Sequence, residues 1–525
     1  MEEHNQKVQA IAAAIKDFGK RQQPFRLYHG STGRTNTIRL DPNKVIDTSR
    51  LNNVLFIDKD AAIADCEPNV DMETLVNATL KENLLPLVVT ELSSLTVGGA
   101  FAGMAGECSS FKFGPFNATC SEIEIVTGDG EVRICSERED QHPELFHGAA
   151  GACGTIGVIT LIKVRLMPAK PYVQLTLSHA DSATEIHERT LKAMEDSNAA
   201  DYIETVLLSA DESLLILGHL IDEPRSKSVS IFKCWHPGDG WFYHEIKRLS
   251  TELTRESRNG NSSTRTIIMP LVDYLFRHDR GAFWGGDLCL DYFFLPNNRL
   301  VRRIFDACLR SGPMYHGLHR SGLAQKYIIQ DLVFASSRVI GFLKDFDAEW
   351  HMYPISFCPL VKGAKIGLNP AQGMVDDEHR TKEVLWNVGT YGMRKFPKLS
   401  VEEENRQLVK LVRHHKGVKW TYCESWMTEE EFRQDYDLAE LANLRVKYGS
   451  TWLPTLYNKV ETDVAAIEEV FTQYWGFWNI RPLAGVYGGI SAIIGQDYLF
   501  QREHLWKRLY TCFTGLFRAR KTHTE

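Results

Sequence analysis

None of the eleven cysteines in this sequence falls in a Cys-x-x-Cys pair, which argues against a zinc knuckle and offers no disulfide framework. No metal site is expected, and scattered reduced thiols fit a cytosolic redox setting. Positive charge is not in excess: the formal net charge is -7, so the broad basic face of a nucleic-acid-binding protein is missing. No run reaches the roughly 20 apolar residues of a transmembrane helix. The first twenty residues carry charge early and have no apolar core, so they do not read as a secretory signal. There is no internal repeat and no low-complexity tract. The loop "GSTGRTN", Gly30 to Asn36, lacks the lysine of a Walker motif. The run "ELFHGAAGACGTIGVIT" has glycines at G-x-x-G-x-x-G spacing and leads into a strand, which sets a Rossmann nucleotide site aside.

What remains is an ordinary globular composition, 43% hydrophobic and 24% charged over 525 residues, long enough for two or three domains. Val8, Ile11, Ala12, Ile15 and Phe18 recur at helical spacing and predict an amphipathic N-terminal helix. "VLFID" and "AAIADCEP" read as strands. "DMETLVNATLKENLL" reads as a helix capped by Asp71. "EIEIVTGDGEVRIC" alternates, turns at Gly-Asp-Gly and alternates again, the pattern of a hairpin. "GTIGVITLIKVRLMP" is a strand ended by Pro168. Beyond it, strands such as "YVQLTLS" and "YIETVLLS" mix with longer helices, an α+β texture. Domain boundaries are expected at 1–170, 171–460 and 461–525. The third unit opens on the helical "ETDVAAIEEVFTQYWGFW" and ends in a basic, partly amphipathic tail. "PLAGVYGGISAIIG", Pro482 to Gly495, has two readings: a buried turn-rich segment, or a surface touching membrane or an apolar substrate.

Three loops carry the chemistry. In "YHGSTGRTNT" the glycines let backbone N–H groups converge, while Ser31, Thr32, Thr35 and Thr37 add hydroxyls and Arg34 adds a forked charge; this is an anion nest. Such loops are more often plain turns. "SSLTVGGAFAGMAGECSSFKFG", Ser93 to Gly114, is dense in glycine and serine, so its backbone can approach a flat ligand closely. The third loop holds Gly151, Gly154 and Gly157.

In this order the three loops resemble the FAD-binding domain of the vanillyl-alcohol-oxidase-type (PCMH-type) flavoproteins, over residues 22 to 170. The resemblance implies a two-subdomain FAD-binding domain followed by an α+β substrate domain. It puts Gly30, Ser31, Thr32, Gly33, Arg34 and Thr35 around the cofactor diphosphate. It puts Ser94, Thr96, Val97, Gly98, Gly99, Gly103, Ser109 and Ser110, then Gly154, Thr155, Gly157, Val158 and Ile159, along the ribityl chain and the isoalloxazine ring. Members with covalent flavin usually carry histidine where this chain has Arg34, and doubly linked ones add a cysteine that "SSLTVGG" lacks. Non-covalent FAD is therefore expected.

Between about Lys7 and Val460 the motifs "LTVGG", "SSFKFG", "GTIGV", "MPAKPYV", "RGAFW", "IIQDLV", "HMYPISFCP", "VGTYG" and "EEEFRQDYD" are similar in order to those of the Δ24-sterol reductases. The N-terminal membrane anchor of the animal and plant enzymes has no counterpart here, and the tail beyond Val460 departs from them. The resemblance implies that NADPH reduces FAD, and that hydride then passes to one carbon of a C=C bond in a small apolar sterol or terpenoid-like substrate while an acid protonates the other carbon. A relative acting on another isoprenoid or natural product fits equally well. With no separate Rossmann site, NADPH is expected to dock transiently against the flavin.

Glu424, Asp331, His351, Tyr353 and Tyr391 are the candidate acids, the last three on expected strands facing the flavin. Each also has a plain structural reading: a helix opening for Glu424, local pairing for Asp331, a core histidine and core tyrosines for the others. Two other functions stay open: an FAD-linked oxidase or dehydrogenase passing electrons to oxygen, and a flavin- or lipid-binding protein without turnover. A cytoplasmic location is expected, with peripheral contact to the endoplasmic reticulum membrane through the C-terminal region. Nothing in the sequence fixes the oligomeric state.

Overall fold

The computed structural model describes residues 1–30, 40–196, 200–224, 230–260, 264–361, 384–396, 398–436, 438–463 and 480–495. The helix Glu2–Lys20 buries Val8, Ile11, Ala12, Ile15 and Phe18, the stripe that the spacing predicts. It packs with Phe25, Ile46, Val126, Val158 and Leu453 into a small core of its own. At its start His4 is buried between two carboxylates, 2.9 Å from Glu67 and 3.1 Å from Glu124. Strands β1 (Arg26–Tyr28) and β2 (Val45–Asp47) form a short parallel pair beside it.

The first large sheet holds β3 (Val54–Asp58), β4 (Ile63–Cys66), β5 (Leu84–Pro86), β6 (Cys120–Thr127), β7 (Val132–Ser136) and β8 (Gly157–Pro168). Its order is β3-β4-β8-β6-β7, with β5 on the far end of β8. The β6–β7 hairpin turns through Gly130, at φ +76°, a left-handed conformation that favours glycine. Asp71 caps the helix Met72–Leu80 by accepting from the Thr74 amide at 2.7 Å.

The second sheet is antiparallel and has eight strands: β9 (Tyr172–Ala180), β10 (Tyr202–Ser209), β11 (Glu212–Ile221), β12 (Thr264–Pro270), β13 (Tyr327–Ala335), β14 (Ile355–Leu360), β15 (Leu385–Met393) and β16 (Val418–Lys419). Their order is β12-β9-β11-β10-β14-β15-β13-β16. The helices Ala183–Glu195, Ser336–Trp350 and Val401–His414 cover one face, on Ile203, Leu332, Phe334, Phe357 and Val388. The residues between these on β13, β14 and β15 point the other way, because side chains alternate along a strand. Mixed helices and antiparallel sheets make the chain an α+β protein.

Residues 439–460 return to the first sheet. Arg445 donates to the carbonyls of Thr155 at 3.1 Å, Leu453 at 2.6 Å and Pro454 at 2.7 Å. The stretch "ETDVAAIEEVFTQYWGFW", for which a helix is expected, lies mostly outside the described residues, as does the tail after 495.

The segment from Pro482 to Gly495 differs from the turn-rich expectation. Leu483–Gly495 is a helix. It lies against the helix Ser311–Ser321 so closely that a Cβ on Gly488 would sit 2.6 Å from the Gly317 carbonyl oxygen. Gly488 serves this close helix–helix approach, and the packing outweighs its poor helix propensity.

Candidate active site

One cavity of about 1170 Å³ runs from Arg26, His29 and Thr48 to the second sheet. Arg26, His29 and Thr48 line one end. Ser94, Thr96, Gly98, Gly99, Gly103, Gly106 and Ser110 form one wall, continued by Cys153, Gly154, Gly157, Val158 and Ile159. Asp331, Asn387 and Tyr391 face them from β13 and β15, with Tyr422 alongside. The far end is apolar, built from Phe293, Leu295, Met314, Leu318, Val486 and Ile490.

The glycine wall follows from close backbone contacts. Thr96 caps the short helix Val97–Gly103 by accepting from the Gly99 amide at 3.1 Å. The Gly98 amide bonds the Pro68 carbonyl at 2.7 Å, and a Cβ there would lie 2.7 Å from the Pro68 Cβ. At Gly106 a Cβ would meet nothing within 4 Å; that backbone borders open space. Thr90 Oγ1 is buried in the same wall without a hydrogen-bond partner among the described residues. A large, glycine-lined cavity with an orphaned hydroxyl fits a flat, polar-edged cofactor.

Ser31, Thr32, Gly33, Arg34 and Thr35 lie outside the described residues. Gly30 is described, at φ +86°, but is not part of the wall. Val97, Ser109 and Thr155 are buried beside the cavity rather than lining it. The Ser109 hydroxyl is bonded to the Leu87 carbonyl and that of Thr155 to the Ala152 carbonyl.

Opposite, the pairing of β13 with β15 sets Asp331 across from Gly389 and Ile329 across from Tyr391. Tyr391 reaches diagonally and donates to Asp331 Oδ1 at 2.6 Å. The segment after β16 brings up Tyr422, which also hydrogen-bonds Asp331, as does Asn387. Trp420 Nε1 holds the Asn387 amide oxygen at 2.7 Å, which leaves the amide N–H groups for Asp331. Burial raises the Asp331 carboxyl to about 6, against the lowering effect of these three donors. The Tyr315, Tyr391 and Tyr422 hydroxyls are pushed up by burial and by the Asp331 charge. Phe283 enters the cavity from a turn in which Gly281, Ala282 and Phe283 all have positive φ, a locally strained backbone. Its ring stacks on His278 at 4.2 Å.

Asp331 and Tyr391 thus meet, while the other three candidate acids lie off the cavity wall. His351 is not on a strand. It caps the helix Ser336–Trp350 in a left-handed conformation, exposed and paired to Asp347 at 2.9 Å. Tyr353 precedes β14 and packs toward the helix-covered face. Glu424 sits beside Thr462 and Trp426, where burial raises its carboxyl to about 7 despite the nearby Lys419 charge. The sequence reading missed Tyr422 and Asn387. Asn387 was accessible to period-two reasoning, being four residues before Tyr391 on one strand face. Tyr422 stands in the same "TYCESWM" run as Glu424.

Residues 5–136 match the FAD binding domain family. Most of the chain is similar to Delta(24)-sterol reductases. That of Homo sapiens is 27% identical over 474 residues, 87% of this chain and 86% of the relative. That of Pisum sativum is 26% identical over 469 residues, 81% of this chain and 78% of the relative. Cytokinin dehydrogenase 9 of Oryza sativa subsp. japonica is 39% identical over 135 residues, a quarter of each chain. The chain is an FAD-dependent oxidoreductase similar to the Delta(24)-sterol reductases.

Proposed function

We propose that the protein reduces a C=C bond in a sterol or terpenoid-like apolar substrate, with NADPH as hydride source and FAD held non-covalently. The observation that supports this most is the continuity of one cavity from the glycine wall, past the Asp331–Tyr391–Tyr422 cluster, to an apolar end. When bound, FAD supplies the two-electron chemistry, and this chain supplies orientation, exclusion of water and the proton.

An isolated alkene has no carbonyl to polarise, so proton delivery carries much of the barrier reduction. Asp331 is the proposed proton source. Its carboxyl titrates near neutrality, where a group can both hold and release a proton. Tyr391, Tyr422 and Asn387 fix its orientation. The loop from Gly30 to Thr35 is proposed to hold the cofactor diphosphate. The two later glycine segments are proposed to hold its ring, with Val97, Ser109 and Thr155 supporting them from behind. Glu424, His351 and Tyr353 fall outside this reaction centre.

The proposed organisation keeps 1–170 as a two-subdomain cofactor unit, 171–460 as the substrate unit and 461–525 as a C-terminal extension. Residues 439–460 brace the cofactor unit from the end of the second. Among the described residues no helix is long and apolar enough to cross a membrane. Peripheral contact through the C-terminal region, on the cytoplasmic side of the endoplasmic reticulum membrane, is part of the proposal. The reverse electron flow, to oxygen, has no specific observation in its favour.

The test is anaerobic addition of NADPH to the purified flavoprotein while flavin absorbance is followed. Bleaching, and reoxidation by a 24,25-unsaturated sterol or another isoprenoid alkene, is the expected result. Failure of NADPH to bleach bound flavin would overturn the reading.

A further inference from the structure

The apolar end of the cavity is walled by a stretch of chain with apolar side chains on both of its faces. Phe293, Leu295 and Phe305 line the cavity. Their neighbours Phe294 and Ile304 do not; they are 68% and 65% exposed, and Leu300 is 68% exposed. Single exposed apolar side chains are ordinary, but a group of large ones on one short stretch marks an interaction surface.

The stretch is held from behind. Leu295 and Val301 pack on Trp241, Leu290 and Leu309. Asn298 caps the helix Arg299–Ile304 by accepting from the Val301 amide at 3.0 Å. Arg302 donates to Asn297 Oδ1 at 2.7 Å, and its guanidinium lies 5.3 Å over the Trp241 ring. With Val301 and Arg302 turned inward, helical spacing puts Arg299, Leu300, Arg303 and Ile304 on the outer face, and all four are exposed. Phe294 sits at φ +56°, a backbone conformation rare for a bulky residue. Arg481 ties this stretch to the C-terminal helix. It donates to the Asp291 carbonyl at 2.7 Å and lies 5.0 Å over the Phe294 ring. A Cβ on Gly485 would lie 2.5 Å from Tyr292 Cε1, so the helix Leu483–Gly495 packs directly on the stretch and its Val486 and Ile490 continue the cavity rim.

The charge of this face is opposite to that of the whole chain. From Tyr292 to Phe305 there are three arginines and no carboxylate, in a chain of net charge -7. Arg299 and Arg303 make no ion pair or hydrogen bond among the described residues. Exposed apolar side chains beside unpaired guanidinium groups fit a lipid surface: acyl chains take the first and lipid phosphates the second. We propose that this face docks on an anionic lipid surface, and that the apolar substrate crosses the rim from the bilayer into the cavity without entering water. The substrate route rests on the reading of a sterol or terpenoid-like alkene as substrate; the docking does not.

The test is co-sedimentation of the full-length flavoprotein with vesicles of phosphatidylcholine alone and of phosphatidylcholine containing phosphatidylserine. Wild type should bind the anionic vesicles, and added salt should weaken binding. Arg299→Gln with Arg303→Gln should weaken it by about tenfold, and so should Leu300→Ser with Ile304→Ser. These four side chains are off the cavity wall, so FAD content and bleaching by NADPH should match wild type in both variants. Turnover of a 24,25-unsaturated sterol should fall by about tenfold when the sterol is supplied in anionic vesicles, and stay within about twofold of wild type when it is supplied in detergent micelles. Equal binding by wild type and both variants, or equal binding to both kinds of vesicle, would overturn the docking. So would self-association of the wild type that the variants lose, which would give this face to a second copy of the chain. Loss of docking with vesicle and micelle turnover affected alike would overturn the substrate route alone. If no alkene turns over from either source, the functional reading and the route fall together, while vesicle binding still decides the docking.

Discussion

Tyr391 donates a 2.6 Å hydrogen bond to Asp331, and the contact exists because the residue paired with Asp331 on β15 is Gly389. A Cβ at position 389 would lie 2.7 Å from the Tyr391 hydroxyl oxygen and 3.0 Å from Asp331 Oδ1. The "VGTYG" motif therefore supplies a donor and the gap through which it reaches its acceptor. One change to either residue tests the pair.

Tyr391→Phe removes a donor that stabilises the Asp331 carboxylate. A hydrogen bond to a charged group contributes about 1.5–3 kcal/mol, so the Asp331 pKa should rise by roughly one to two units from about 6. A proton donor works while protonated and fails as pH rises through its pKa. Flavin reoxidation by substrate should thus persist to higher pH in the variant. Stopped-flow rates across pH 5–9 check this, and an unshifted limb would remove Asp331 from the proton step.

Gly389→Ala should separate the same two groups without deleting either. Overpacking of this kind costs about 1–3 kcal/mol, read as a lower midpoint in urea. The pH limb should move in the same direction as in Tyr391→Phe. FAD content should stay normal, because Gly389 is not part of the cavity wall.

Asp331 also carries a stability signature. Its folded pKa of about 6 lies above the ordinary 3.8, so the folded state binds the proton more tightly than the unfolded chain does. The penalty is absent below about pH 4 and grows until the pH passes 6, where two units correspond to about 3 kcal/mol. Asp331→Asn, neutral at all pH values, should melt above wild type at pH 8 and level with it near pH 4. Equal melting temperatures at both pH values would contradict the raised pKa.

Much of this was legible locally. The β6–β7 hairpin, the Asp71 cap and the stripe from Val8 to Phe18 depend on neighbours a few residues apart, and short-range periodicity records those. Asp331 and Tyr391 could each be singled out, but their meeting depends on a strand register linking positions 60 residues apart, which no local pattern encodes. His351 misled because its motif ends in a strand, while the residue itself caps the preceding helix. Of the two readings of Pro482 to Gly495 the turn-rich one fails, because glycine predicts turns unless another helix lies close enough to need it, as at Gly488.

His4 should make the N-terminal helix pH-sensitive. Its side chain bridges Glu67 and Glu124, and the hydrogen bond to Glu124 leads the effects that raise its pKa above 6.5. The stabilisation is fully present below the unfolded pKa and fades as pH rises through the higher folded value. His4→Gln should lower the melting temperature most at pH 6, with the gap narrowing above pH 8. A gap that is constant with pH would mean His4 acts through packing alone.

Gly488→Val tests whether the C-terminal helix closes the apolar end of the cavity. A Cβ at 488 would lie 2.5 Å from the Ser321 Cβ and 2.6 Å from the Gly317 carbonyl oxygen. Neither atom is the end of a flexible side chain, so the two helices must part. Val486 and Ile490, one turn apart on the same helix, line the cavity and would be displaced with it. The cofactor wall lies on other elements, so FAD content and the rate of bleaching by NADPH should not change. The loss should appear in substrate handling: a higher KM for a long apolar alkene, with a smaller effect on a short-chain analogue that never reaches this end. Equal loss for both substrates would mean the helix supports the fold rather than the apolar end of the cavity.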